Sequence, residues 1–196
     1  MKTSSPRSAR QQILDTAADL FFREGYRAVG VDTIISRSGV AKMSLYRHFS
    51  SKDALIVAYL ERSNELFWTW FEQAVSPHPD DPRAQLVAFF EALEAYVSSP
   101  ICHGCPFLHV ATEFPDETYP GHRLALEHKQ AVRARFHEMA VQAGAQQPEV
   151  LADQLMLLMD GAYLQARMFG PTNRLPMWRR LRWLCSMPSH RTLVPT

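Results

Sequence analysis

The segment from Gly25 to Phe49 constrains the chain most, because its glycines leave room for only two short helices and a tight turn between them. Gly25 stops the apolar repeat Ile13, Leu14, Ala17, Ala18, Leu20, Phe21 and Phe22, whose three-to-four spacing belongs to a helix packed on one side. A second helix is expected to begin near Gly30 or Val31, to bury Val31, Ile34 and Ile35, and to end before Gly39. A third runs from about residue 41 to 49, with Leu45 and Phe49 four apart on its buried face. Gly39 permits the sharp turn, and Val40 after it is placed to fill the wedge between the two helices. Lys42, Met43, Ser44, Arg47 and His48 are thereby left pointing outward.

Such a helix-turn-helix presents the N-terminal end of its second helix to the major groove of DNA. Side chains there divide into base readers and phosphate clamps. Met43, Ser44 and Arg47 are expected at base edges, Arg47 with the two donors needed to pair with guanine. Lys42, Tyr46, His48 and Lys52 are expected on phosphates, and the basic arm Lys2, Arg7 and Arg10 can add backbone contacts. The alternative reading of Tyr46 is packing against a neighbouring helix, and that of His48 a solvated surface residue. Lys52 stands at a helix start, where the dipole disfavours a cation unless an anion arrives to offset it.

The rest of the chain is helical in pattern, with no sustained period-two alternation, hairpin turn or repeat. Ser50 and Asp53 read as a capping pair for a long fourth helix reaching about residue 75. Three prolines between Ser76 and Pro82 end it, and a fifth helix follows to about residue 98. Prolines and glycines break residues 99–121, leaving one short helix over about 107–114. Residues 122–143 and 149–169 form the last two long helices, and 177–187 a final one. The expected fold class is all-α. A helix-turn-helix domain occupies residues 1–50, extending to about 62 with the start of the fourth helix, and a larger helical domain occupies 51–196.

Composition narrows the functions. Hydrophobic residues at 46% and charged residues at 21% exclude a disordered chain. The apolar runs are too short to span a bilayer, so no membrane partner is expected. Residues 1–15 lack the apolar stretch of a signal peptide, and three unevenly spaced cysteines make a poor disulfide framework, so a cytoplasmic location is expected. The net charge of +1 hides an asymmetry: residues 1–62 and 174–196 are basic and residues 63–173 acidic. A basic head on an acidic body suits a protein that offers one surface to a polyanion. Catalytic motifs are missing, with no phosphate loop, nucleophile elbow or metalloprotease pair, so an enzyme is not expected. His122, His128 and His137 read as surface residues.

The head resembles the DNA-binding domain of the TetR family of transcriptional regulators. The resemblance rests on Phe21, Gly25, Ile34, Gly39, Val40, Leu45, Tyr46, Phe49, Lys52 and Leu55. The sequence departs from that pattern at Gly30, Ile35, Ser38 and Ala41. Gly30 and Ala41 replace hydroxyls, so no phosphate contact is carried over to them. The resemblance implies a homodimeric regulator, usually a repressor, released from double-stranded operator DNA when a small-molecule effector binds the C-terminal domain. A largely apolar effector is expected against Phe67, Trp70, Phe71, Phe90, Phe107 and Met159, with Glu113 and Tyr163 as orienting polar groups and Gln165 and Arg167 as further candidates. The dimer interface is assigned to Leu151, Leu155, Leu158, Met159, Ala162, Ala166 and Phe169, joined by the 177–187 segment.

Two segments invite other readings. Cys102-His103-Gly104-Cys105, with His109 nearby, has the spacing of half a zinc site, but no second pair follows and Cys185 is distant. No metal and no cofactor are therefore expected, and the alternatives to the ligand-responsive regulator are redox or metal sensing through Cys102 and Cys105, or a protein partner. The basic amphipathic stretch 177–184 reads as a terminal packing helix in preference to a membrane-surface one.

Overall fold

The computed structural model describes residues 8–170, which contain eight α-helices and no strand. The expected helix at 177–187, the arm residues Lys2 and Arg7, and Cys185 lie outside the described residues. The helices are α1 (Ala9–Glu24), α2 (Val31–Ser38), α3 (Lys42–His48), α4 (Lys52–Val75), α5 (Pro82–Val97), α6 (Pro106–Glu113), α7 (Pro120–Gln142) and α8 (Pro148–Phe169). The last four each begin with proline, whose missing N–H is one of the unpaired donors at a helix start. Ser8 caps α1 and Asp81 caps α5 by accepting first-turn N–H groups at 3.2 and 3.0 Å. The cap of α4 is Ser51, whose Oγ accepts the Ala54 N–H at 3.0 Å, and not the expected Ser50. Asp53 instead accepts the Tyr119 hydroxyl at 2.9 Å.

Helices α1, α2 and α3 pack on one another and on the first part of α4. Ile13, Ala17, Phe21, Ile34, Leu45 and Leu55 are fully enclosed there, and Phe49 closes the layer. Gly39 between α2 and α3 has φ 66°, in the left-handed region that a side chain would strain. Ser38, where the family favours alanine, is buried, and its hydroxyl donates to the Ile35 carbonyl at 3.2 Å.

In the body, α7 runs against α4, α5, α6 and α8. Its Val132, Phe136 and Met139 are fully enclosed, each contributing about 2 kcal/mol by burial. Two residues expected at a ligand belong to this core. Phe71 packs on Phe89 at 4.7 Å between ring centres, and Phe90 stacks on Phe136 at 5.7 Å. The α8 assignment also changes. Leu155, Met159, Ala162 and Ala166, read as a dimer face, are buried inside the protomer. Leu151 and Leu158 are half-buried, and only Phe169 of that set is exposed, at 51%. At 100° per residue the opposite side of α8 carries Val150, Leu157, Leu164 and Met168, all 46% or more exposed.

Candidate functional sites: a nucleic-acid interface and a cavity

Leu45 anchors α3 at 0% exposure, and the other face stands in solvent. Met43 is 76% and Tyr46 43% exposed, with Lys42, Arg47 and His48 exposed beside them and Ser44 half-buried. Lys42 Nζ lies 3.2 Å from Asp32 Oδ1 on the neighbouring α2, so its charge is partly shared. Arg10 lies over the Phe49 ring at 5.2 Å, which brings a cation of the N-terminal segment to the end of α3. Lys52 occupies the first position of α4, half-buried, and burial pulls its ammonium below the usual lysine range while Asp53 and Glu113 pull it back. A cation held against a helix N-terminus and partly desolvated favours an incoming anion.

The N-terminus of α2 adds a feature that residue-by-residue reading missed. Gly30 offers no side-chain cap, so the first-turn N–H groups face outward. The Thr33 hydroxyl lies 3.9 Å from where a Gly30 Cβ would stand, and so supplies a hydroxyl to this helix end. The signal available in the sequence was the pairing of an uncapped start with a threonine three residues on.

Three contacts fasten this head to the body. Glu113 on α6 accepts the N–H groups of Tyr26 and Arg27 at 3.0 and 2.7 Å, where the chain leaves α1. A Cβ at Gly25 would fall 2.8 Å from that carboxylate, and Gly25 has φ 91°, so both approach and backbone require glycine. Glu113 is therefore an interdomain anchor and not the ligand-orienting group expected. Arg167 on α8 donates to the Phe22 and Arg23 carbonyls, both at 3.2 Å, at the C-terminal end of α1. Arg62 on α4 pairs with Asp15 on α1 at 2.6 Å.

Beside these contacts lies a cavity of about 520 Å³. Its walls are Ala18, Asp19 and Phe22 of α1, the chain from Gly104 to Phe107, and residues of α4, α5, α7 and α8. Of the residues expected at a ligand, Phe67, Trp70, Phe107, Met159 and Tyr163 line it, and Phe71, Phe90 and Glu113 do not. Sequence reasoning missed Tyr59, Arg62, Lys129 and above all His128. His128, read as a surface residue, is 4% exposed. Its ring stacks on Phe107 at 3.7 Å, meets the Phe67 ring edge-on at 4.7 Å, and has Nδ1 2.8 Å from Asn64 Oδ1.

Burial, with Lys129 adding to it, pushes the His128 imidazole from 6.5 down to about 3. The unfolded chain takes up this proton below its ordinary value and the folded protein does not, so stability must fall as pH drops through that window. This group alone is expected to lower unfolding free energy by about 2 kcal/mol between pH 7 and pH 5. Denaturant melts of the wild type and of His128→Leu check it: the variant should lose that much less, and equal losses would mean the ring protonates in the folded state.

Among the described residues the cysteine segment assembles no metal site. Cys102 and Cys105 are free and buried at 3% and 4% exposure. No cluster of three or more His, Cys, Asp or Glu side chains able to hold a metal occurs among the described residues. Burial, with Cys105 adding to it, raises the Cys102 thiol above its ordinary value, which keeps it protonated and a poor nucleophile. His103 places Nε2 in the protein without a hydrogen-bond partner.

Comparison with known proteins agrees with this layout. Residues 13–59 match the family model for bacterial regulatory proteins of the tetR family, and residues 82–181 match that for the tetracyclin repressor-like C-terminal domain. The chain is 40% identical over 93 residues to the HTH-type transcriptional activator FasR of Mycolicibacterium smegmatis, a match spanning 45% of this chain and 42% of that protein. The fold superposes on SCO4454, a TetR-family regulator of Streptomyces coelicolor, with a TM-score of 0.80 and 34% identity over 83% of this chain and 86% of that one. The sav143 regulator of Streptomyces avermitilis gives 0.76 and 32% over 93% and 100%. No helix among the described residues is long and apolar enough to cross a membrane. With head and body each matched by their family model, the chain belongs to the TetR family of DNA-binding transcriptional regulators and is not an enzyme.

Proposed function

We propose that the protein is a homodimeric repressor that leaves its operator when a small, largely apolar ligand fills the cavity between α1 and the body. The observation that carries this reading is the cavity wall: Ala18, Asp19 and Phe22 belong to α1, the helix on which the head is built. A ligand between that helix and α4, α7 and α8 favours one placement of the head over another. Operator affinity falls to the extent that the ligand prefers the placement DNA does not accept. Glu113 and Arg167 hold the far end of α1, so movement there is transmitted to the turn that leads into α2.

The α3 face, with Met43, Ser44 and Arg47 at base edges and Lys42, Tyr46, His48 and Lys52 at phosphates, is the reading head. The first turn of α2, with Thr33, receives a further phosphate. The two heads of a dimer reach half-sites one or more helical turns apart. The exposed apolar stripe of α8 supplies the surface on which two copies meet.

The test is an anisotropy titration against DNA flanking the protein's own gene, with competitor DNA and a salt series. The expected result is saturable binding to one near-palindromic site, the log of the binding constant falling by about 0.9 per log unit of salt for each phosphate contact. In vitro transcription from that template should fall as the site fills. Binding with no preference over competitor would refute a sequence-reading head at this site, and a rise in transcription would make the protein an activator.

A further inference from the structure

The cavity carries more than a place for a ligand. Each charged side chain that lines it is already paired: Arg62 with Asp15 at 2.6 Å, Asp19 with Arg23 at 2.6 Å, and Lys129 with Asp160. A carboxylate entering this space would have to break one of those pairs or make do with tyrosine hydroxyls among Phe22, Phe67, Trp70 and Phe107. The space therefore selects against anionic ligands. Its walls are flat rings from several helices, which suits a ring compound, and about 520 Å³ is room for a molecule of drug size.

His128 Nε2 is a polar atom of this apolar setting that lacks a partner. Asn64 Oδ1 lies 2.8 Å from His128 Nδ1, so Nδ1 carries the proton and Nε2 is the acceptor. The ring is clamped between Phe107 and Phe67 and cannot turn away. No protein group bonds Nε2, it is not sealed inside the protein, and His128 is one of the residues that line the cavity. Burial keeps the imidazole neutral, which preserves the lone pair on Nε2. An acceptor left unmatched among aromatic rings costs free energy that a donor would recover.

We infer that the effector is a non-anionic ring compound bearing a hydroxyl or N–H group that donates a hydrogen bond to His128 Nε2. This rests on the reading of the cavity as the effector site. A phenol or an indole has the required chemistry. A fatty acid, an aromatic carboxylate or a quaternary amine does not.

Three probes of one ring system separate these features: 2-naphthol, 2-methoxynaphthalene, in which the donor is capped, and 2-naphthoate, which is ionised at neutral pH. Binding is read from quenching of protein fluorescence, since Trp70 lines the cavity, and by calorimetry. 2-Naphthol is expected to bind about tenfold more tightly than the methyl ether, the effect of one matched hydrogen bond, and the naphthoate more weakly than either. In His128→Leu the preference for naphthol over its ether should shrink to within about twofold. Should that variant fail to fold, the wild-type ranking still decides. Equal binding of naphthol and its ether, tighter binding of the naphthoate, or no binding of naphthol up to its solubility limit would overturn the inference. The same probes added to a protein–operator complex report separately on the cavity's role. Preferential naphthol binding that leaves the complex intact supports the ligand class and refutes the cavity as effector site.

Discussion

Replacing Arg47 and Tyr46 together by alanine is expected to cut the affinity for the operator by roughly a thousandfold while shifting the melting temperature by no more than about a degree. Arg47 is exposed and Tyr46 is 43% exposed, and neither makes a hydrogen bond or ion pair among the described residues, so the folded state loses little. A guanidinium bidentate to guanine contributes about 1–3 kcal/mol of discrimination. In the proposed dimer a twofold operator meets two such heads, so the loss doubles to about 4 kcal/mol before the tyrosine is counted. Lys42→Ala should do less, because Asp32 already shares its charge, and its signature should be a shallower salt dependence with the sequence preference kept. Anisotropy with operator and scrambled DNA measures both. Undiminished operator binding by the double variant would remove α3 as the reading helix and shift attention to the N-terminus of α2.

How much of this was legible in the sequence depends on whether a feature is local. Gly39 acts within a turn of its own position and Pro82 announces α5 without reference to the rest of the fold, while Pro106, Pro120 and Pro148, which open α6 to α8, read as breaks in the sequence. Cap choice was off by one residue because Ser50 and Ser51 are chemically equivalent, and only geometry brings Ser51 Oγ to the Ala54 N–H. Glu113 was harder. Its partners Tyr26 and Arg27 lie 87 and 86 residues away, so nothing near it in sequence shows that the carboxylate closes the end of α1. His128 was misread for a related reason. One histidine in a helix with polar neighbours looks solvated until α4 and α6 bring Asn64, Phe67 and Phe107 around it.

The same limit governs α8 and leads to the second large effect. Both sides of that helix are apolar, and periodicity cannot say which side the protomer itself covers. The structure turns Leu155, Met159, Ala162 and Ala166 inward and leaves Val150, Leu157, Leu164 and Met168 uncovered, with Gly161 between them and open space where its Cβ would be. Residues 157, 161, 164 and 168 follow a four-three-four spacing, one continuous stripe along the helix. Leu157 is 73% and Leu164 54% exposed. Burying both in each of two copies would contribute about 6 kcal/mol to association. Leu157→Glu with Leu164→Glu removes that and sets four carboxylates in the interface, so dimer affinity should fall by at least about 10⁴-fold. Sedimentation velocity at micromolar protein should then show a folded monomer. A single head with half the binding free energy drops from nanomolar operator affinity to tens of micromolar, roughly, so the operator complex disappears as well. Leu155→Ala is the contrast: it opens a core cavity costing about 2–5 kcal/mol of stability and should leave a folded fraction that still dimerises. A charged double variant that stays dimeric would mean that the copies meet through another face and that the α8 stripe is covered by something else.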